Sequence, residues 1–330
     1  MAGRKEFYKN MSKALILGIN GQDGSFLCEI LLEKGYEVHG LIRRTAKNNL
    51  QNINNILDKV NLHYGDLNDP ISIQKVINLS NPDEIYNEAD QDHAGISFDI
   101  PAYNFDVTGS AVGRILEIIK NTNKNIKFFQ PVTSNMFGSV KTCPQNEETS
   151  FYPLNPYACA KVFAYYLCKM YRTNYNMFVS TAIFYNHESE RRTENYVTRK
   201  ITKAAARIFL GLQDKLVLGD ISAKLDWGYA KDYMEAAWKI MQLPKPDDYI
   251  IGTGVETTVE KFVEKTFSYL NLDYKKYLTT SKKFIRPAQN LPLIADFTKA
   301  KNHFGFSPKI NVDDLIKIMV DHDLENEKKI

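Results

Sequence analysis

The run Ala14-Leu-Ile-Leu-Gly-Ile-Asn-Gly-Gln-Asp-Gly24 constrains this chain more than any other stretch. Its first four residues are apolar and β-prone, and glycines follow at Gly18, Gly21 and Gly24. Phe26, Leu27, Ile30 and Leu31 then recur at helical spacing until Gly35 stops the pattern. Strand, glycine turn, helix is the order of a dinucleotide-binding βα unit. Glycines let the backbone turn sharply and approach a pyrophosphate, while the helix N-terminus offers amide N–H groups and a favourable dipole. The spacing is G-x-x-G-x-x-G rather than G-x-G-x-x-G, and an ordinary tight βα turn is the alternative reading.

The segments that follow extend this unit. Strand patterns fall at Ala14–Gly18, Glu37–Ile42, Asn61–Tyr64, Glu84–Tyr86, Lys127–Thr133 and Phe178–Phe184. Helical patterns at Ser25–Lys34, Ile71–Leu79, Ala111–Asn121 and Pro156–Tyr175 separate most of them. Buried β-prone runs alternating with amphipathic helices predict an α/β fold with a doubly wound parallel sheet, of the Rossmann kind. Residues 13–185 form this cofactor-binding domain, and 227–253 return to it through a helix at Asp232–Met241 and a strand at Tyr249–Gly252. Residues 186–226 and 254–330 make a smaller α/β substrate lobe. The lobe holds a charged loop at Glu188–Glu194, helices at Val197–Leu210, Val259–Tyr269 and Val312–Asp321, and a short strand at Lys215–Leu218. A ligand is expected in the cleft between the lobes.

With 330 residues, 44% hydrophobic and 25% charged, the chain can bury a large core. A net charge of +3 is too small to argue for nucleic acid or a membrane surface. Residues 1–12 read as a solvated tail, with basic residues but no apolar core of a signal peptide. No apolar run reaches the length of a membrane span. The four cysteines lack C-x-x-C spacing, and Cys28, Cys159 and Cys168 lie in helical patterns, so buried reduced thiols in a cytoplasmic protein are expected. The six histidines show no ligand spacing, and no metal is expected.

Thr133-Ser134 closes a predicted strand, and in open α/β sheets ligands bind beyond the carboxyl ends of strands. Tyr157 and Lys161 are four apart on a predicted helix and share a face. An ammonium near a phenol favours the phenolate, which can take the proton of an alcohol while the hydride of the same carbon leaves for nicotinamide. Y-x-x-x-K alone is nearly noise. It gains weight by following a glycine turn and a hydroxyl-bearing strand end.

Gly18…Gly24, Asp66-Leu67, Thr133, Tyr157…Lys161 and Asp226-Trp227-Gly228 together resemble the extended short-chain dehydrogenase/reductases that act on nucleotide sugars, above all the GDP-mannose 4,6-dehydratases. Asn186-His-Glu-Ser189, Val197-Thr-Arg-Lys-Ile-Thr202 and Arg286-Pro-Ala288 extend the likeness over residues 13–325. Within that family the pattern is most similar to the GDP-D-glycero-α-D-manno-heptose 4-dehydrogenase type. The resemblance implies a homodimer or homotetramer and a GDP-sugar substrate. It places Gly18, Asn20, Gly21, Gln22 and Asp23 at the pyrophosphate, and Asp66 and Leu67 at adenine. Glu88, Ala89, Asp90, Gln91, Asp92 and Tyr103 would pass under ribose and nicotinamide. Lys161 would hold the nicotinamide ribose, with His187 and Arg192 closing the site. Thr133, Tyr157 and Lys161 would be catalytic, and Asn135, Asn186, Arg199, Lys200 and Arg286 would meet the substrate. For Asp66, Arg199 and Lys200 an ordinary turn or surface role is the competing reading.

Three departures matter. The family's strand end reads Thr-Ser-Glu, and that glutamate removes the C5 proton so that water leaves from C6. Here the position is Asn135, and a carboxamide is no base near neutral pH. Oxidation at C4 keeps its residues, so the expected reaction stops at the 4-keto sugar, in a capsule or surface polysaccharide route. Glu88, Asp90 and Asp92, which replace the family's Leu, Ala and Ser, are candidates for a relocated base, and with one of them a 4,6-dehydratase is the alternative. A non-catalytic sugar-nucleotide or cofactor binder is a third reading. Leu225 replaces the arginine before Asp-Trp-Gly, leaving Arg286 as a phosphate fork. Glu190 replaces a proline, and nothing in the sequence explains it. Arg43-Arg44 at the end of the second strand suits a 2′-phosphate and thus NADP, whereas a net oxidation draws better on NAD. NAD is the expectation and NADP the alternative. Arg43 can instead stack on adenine.

Overall fold

The computed structural model describes residues 11–46, 49–281 and 292–329. Two compact units emerge, each made of several chain segments. The first contains residues up to Gly138, then Phe151–Ile183 and Met234–Tyr249. The second contains Ser139–Ser150, Phe184–Tyr233 and the chain from Ile250 onward.

The first unit is built on a seven-stranded sheet. Its strands are β1 (Lys13–Leu17), β2 (Glu37–Ile42), β3 (Val60–Tyr64), β4 (Glu84–Asn87), β5 (Lys127–Thr133), β6 (Val179–Phe184) and a later strand at Asp248–Ile251. The later strand lies beside β6, then come β5, β4, β1, β2 and β3. β1 pairs in parallel with β2 and β4, β2 with β3, and β4 with β5. This is the expected doubly wound α/β sheet, with its order reversing between β1 and β4. Ligands of such sheets lie outside the carboxyl ends at that reversal. Helices α1 (Gln22–Glu33), α2 (Pro70–Ser80), α3 (Ala111–Asn123) and α4 (Pro156–Tyr175) connect the strands. Leu15, Leu17, Ile85 and Phe128 from the strands pack with Ile73, Ile77, Val112, Ile115, Leu116 and Cys168 from the helices in one core.

The second unit has its own core, around Ile201, Trp227, Phe262, Val263, Phe267, Leu315 and Met319. Its main helices are α5 (Val197–Phe209), α7 (Val259–Tyr269), α8 (Thr298–Phe304) and α9 (Val312–Glu327), whereas α6 (Ala230–Met241) lies mostly in the first unit. The charged loop expected from Glu188 is preceded by a strand, β7 (Asn186–Glu188), pairing in parallel with a strand at Lys224–Tyr229. That pairing is invisible in so short a polar segment. The segment 139–150, expected in the first domain, groups with the second unit. Gln145 ties it there, accepting from Tyr185 Oη at 2.9 Å and from Ile294 N at 2.9 Å.

Among the described residues no helix is long and apolar enough to cross a membrane. No group of three or more His, Cys, Asp or Glu residues among them could hold a metal ion. Cys28 and Cys168 are buried free thiols, but Cys159 is exposed, correcting the expectation of a buried side chain. It falls between the inward positions Tyr157, Ala158, Ala160 and Lys161 of α4 and points away from the packed face.

Candidate active site

The glycine turn joins β1 to α1. Gly18 has φ of +82°, and a Cβ there would stand 2.9 Å from the Glu88 carbonyl oxygen. A Cβ on Gly24 would stand 2.3 Å from the Gly18 carbonyl oxygen. The helix therefore starts as close to the strand as backbone allows. Gly21 donates to Gly18 O at 3.0 Å and is the N-cap of α1, with no side chain to cap the first turn. Uncapped N–H groups at a helix start are what a phosphate satisfies, so the residues present fit the pyrophosphate of a dinucleotide.

The flanking candidates are held in place. Asn20 donates to Asn49 O at 3.2 Å, and Gln22 donates to Asp23 Oδ1 at 3.0 Å. Arg43 Nη1 donates to Tyr103 Oη at 2.7 Å, joining a residue expected at the adenosine to one expected under ribose and nicotinamide. Asp66 Oδ1 accepts from Asn68 N at 3.0 Å, the turn role that competed with adenine binding. The carbonyl of buried Leu67 accepts from Arg114 Nη2 at 3.1 Å, and Arg114 Nη1 lies 2.7 Å from Asp106 Oδ1. Gln91 is fixed from three sides. Its N–H donates to Thr108 Oγ1 at 3.3 Å, and Asn104 Nδ2 donates to its backbone and side-chain oxygens at 2.8 and 2.7 Å.

The reacting end is built by β5 and α4. Thr133 ends β5 and its Oγ1 accepts from Asn135 N at 3.2 Å and from Asn135 Nδ2 at 3.1 Å. With both acceptances directed at Asn135, the hydroxyl keeps its hydrogen to donate elsewhere. α4 starts cleanly, with Asn155 Oδ1 accepting from Ala158 N at 2.8 Å and Pro156 in the first turn. Tyr157 is 8% exposed, and its N–H donates to Ser97 Oγ at 3.3 Å. One turn on, Lys161 Nζ donates to Pro131 O at 2.8 Å and lies 5.7 Å from the Tyr157 ring centre. Pro131 O also accepts from Gln130 Nε2 at 2.9 Å, and Gln130 Oε1 from Asn87 Nδ2 at 2.8 Å. Sequence reasoning missed Ser97, Asn87, Gln130 and the Pro131 carbonyl. Gln130 could have been noticed as a polar residue inside the apolar run Phe128–Val132, and Asn87 as one directly after Ile85-Tyr86.

An acidic lining follows β4. Asp90 Oδ2 lies 2.6 Å from Lys161 Nζ, with side chains 13% and 4% exposed. Burial, with the Asp23 charge behind it, pushes the Glu88 carboxyl well above the usual range, and its Oε1 is buried without a hydrogen-bond partner. Burial also raises Asp90, with Lys161 opposing.

The remaining candidates belong to the second unit. His187 Nδ1 donates to Tyr185 O at 2.8 Å, and its ring stacks on Tyr233 with centres 4.8 Å apart. Asn186 Nδ2 donates to Asp226 O at 3.3 Å. The Arg192 guanidinium lies 3.4 Å from the Tyr196 ring centre, and its Nε is 3.4 Å from Glu188 Oε2. Arg199 is buried, with Nη2 2.8 Å from Asp323 Oδ1 and Nη1 donating to Glu190 O. A fold-building ion pair thus occupies a guanidinium that was expected to meet the substrate. Desolvation lowers Lys200 from the usual lysine range. Arg286 lies outside the described residues.

The GDP-mannose 4,6 dehydratase family model matches residues 15–319. GDP-mannose 4,6 dehydratase 1 of Arabidopsis thaliana is 45% identical over 339 aligned positions, covering 99% of this chain and 94% of that protein. The Homo sapiens GDP-mannose 4,6 dehydratase is 40% identical, covering 98% of this chain and 94% of that protein. Among solved structures, a Streptomyces venezuelae dTDP-glucose 4,6-dehydratase with NAD and TYD bound superposes with a TM-score of 0.84 at 19% identity, covering 96% of this chain and 98% of that one. RMD from Pseudomonas aeruginosa complexed with NADPH gives 0.81 at 19% identity, with coverage of 96% and 98%. Such distant structures establish the fold alone, whereas the sequence matches over nearly the whole length show that the chain belongs to the GDP-mannose 4,6-dehydratase family.

Proposed function

We propose that this chain oxidises the C4 hydroxyl of a GDP-manno-configured sugar and carries the ketone on to net 4,6-dehydration. The observation that carries the oxidation is the grouping at the ends of β5 and α4: a hydroxyl donor, Thr133, and a phenol, Tyr157, one turn from the buried ammonium of Lys161. Dehydration is supported by whole-length similarity to proteins that bear that name. Tyr157 takes the hydroxyl proton, Thr133 donates to the C4 oxygen, and Lys161 favours the phenolate. A nicotinamide dinucleotide, when bound, supplies the hydride acceptor. Net dehydration returns the hydride to the sugar, so NAD or NADP can serve, and Arg43, engaged with Tyr103, is compatible with a wall for adenine as well as with the 2′-phosphate of NADP. Elimination calls for a carboxylate in place of Asn135, and Asp90, Asp92 and Glu88, which follow β4, are the candidates for it. Asn186, Lys200 and Arg286 are proposed to meet the substrate. Exposed Phe105, Phe163 and Tyr166 on neighbouring helical stretches are consistent with a homodimer or homotetramer.

Asn135 favours a second reading, a 4-dehydrogenase of a GDP-manno-heptose that releases the ketone and leaves the cofactor reduced. Incubation with GDP-mannose and GDP-D-glycero-α-D-manno-heptose in deuterated water, followed by mass spectrometry, separates the two. Loss of water with deuterium gained at C6 supports dehydration. Loss of two hydrogens with stoichiometric reduced cofactor replaces it with the second reading. Neither product, with cofactor bound, removes both.

A further inference from the structure

The ammonium that favours the phenolate is itself compensated. Lys161 Nζ stands between Asp90 Oδ2 at 2.6 Å and Pro131 O at 2.8 Å, and both charged side chains are nearly buried. Asp90 lies 71 positions before Lys161 on the loop after β4, so the pairing is made by the fold and not by helix geometry. The ionisable groups acting on this pair are acidic: Asp92 and Asp23 act on Asp90, and Glu88 on Lys161, while Cys168 lies on the same helix as the lysine. The His93 side chain two residues along the loop is directed to its own backbone, Nδ1 accepting from Ile96 N at 3.0 Å.

A cation 5.7 Å from a phenol ring lowers the cost of the phenolate only as far as its field is not cancelled. A carboxylate in direct contact with that cation cancels much of the field and also fixes where the ammonium sits. We propose that Asp90 is a positioning residue that sets the proton affinity of Tyr157 through Lys161, so that the first oxidative step in this chain requires a higher pH than Tyr157 and Lys161 alone would demand. The idea rests on Tyr157 being the proton acceptor. It assigns Asp90 to the oxidation step and leaves the elimination base to another group.

The test is Asp90→Asn, which keeps shape and removes the charge, with Asp90→Glu as the conservative variant. Tyrosinate absorbance is titrated in the cofactor-bound protein, and the Tyr157→Phe titration is subtracted to isolate one phenol among the tyrosines. The midpoint is expected to fall by about one pH unit or more in Asp90→Asn and to return toward the parent value in Asp90→Glu. The acid limb of single-turnover cofactor reduction is expected to move with it. An unmoved midpoint in a folded Asp90→Asn protein that still binds cofactor overturns the proposal, even where its rate falls. Should Asp90→Asn fail to fold, Asp90→Ser, which also removes the charge, takes its place. A midpoint displaced downward in that variant supports charge compensation, and one equal to the parent's overturns it. The spectroscopic titration needs no sugar substrate. An absent oxidation therefore counts against the proposed function, and an unmoved midpoint against Asp90.

Discussion

Gly24 shows how little freedom the cofactor cradle leaves a single residue. An added methyl would stand 2.3 Å from the Gly18 carbonyl oxygen and 2.8 Å from Ile19 Cα, both backbone atoms that cannot swing aside. Gly24→Ala is therefore expected to cost about 1–3 kcal/mol of stability and to weaken NAD binding at least tenfold. Thermal melts and titration of cofactor fluorescence measure the two effects. At this scale the sequence was most informative where chemistry depends on local spacing. Tyr157 and Lys161 could be paired by eye because one helical turn separates them. Asp90 could not be paired with Lys161, because their contact requires β4 and α4 to be brought together. Asn135 was legible as a lost base, but not as a double donor to Thr133 Oγ1.

Among the elements, α5 and α9 are joined by buried charge. Asp323 on α9 pairs with Arg199 on α5 and accepts from Thr202 Oγ1 at 2.7 Å, while Glu327 pairs with Arg207 at 2.6 Å and Lys203 at 3.2 Å. Burial pushes the Asp323 carboxyl up to about 6, against the opposing Arg199. A carboxyl raised on folding makes the folded state bind its proton more tightly. Its contribution favours folding below the unfolded value near 3.8 and is lost as pH climbs through about 6. The shift corresponds to at most about 3 kcal/mol. Asp323→Asn is expected to flatten the fall of melting temperature between about pH 4 and 7, read by calorimetry across that range. Long periodic elements such as α4 and α7 were legible from sequence to the residue. β7 and the strand at Lys224–Tyr229 were not, since three to six mixed residues carry no decisive period and are ordered by pairing with each other and, for Lys224–Tyr229, with a strand at Glu256–Thr258.

For the molecule as a whole, the stretch Asp226-Trp227-Gly228, which carried much of the family likeness, does architectural work. Asp226 is fully buried and accepts from Thr253 Oγ1 at 2.6 Å, Thr253 N at 2.9 Å, Gly254 N at 2.8 Å and Ala295 N at 3.1 Å. Two segments of the second unit, at Thr253-Gly254 and at Ala295, thus converge on one carboxylate. Asp226→Asn would turn a donor group toward backbone N–H groups and is expected to cost about 2–4 kcal/mol, seen as a lower denaturation midpoint in urea. The overall α/β plan and the return of α6 were legible, because each apolar run announces its own burial. The membership of residues 139–150 was not, because Gln145 reveals its partners only once the fold exists.

The same division into units has a practical corollary. The polypeptide passes between them five times, at about residues 139, 151, 184, 234 and 250. A fragment cut after residue 183 would lack α6 and the strand beside β6, and would present a bare sheet edge to its neighbours in solution. Transplanting the second unit onto another dinucleotide-binding half would therefore require five matched junctions in one splice, and homologous exchange at a single crossover point would yield aggregates.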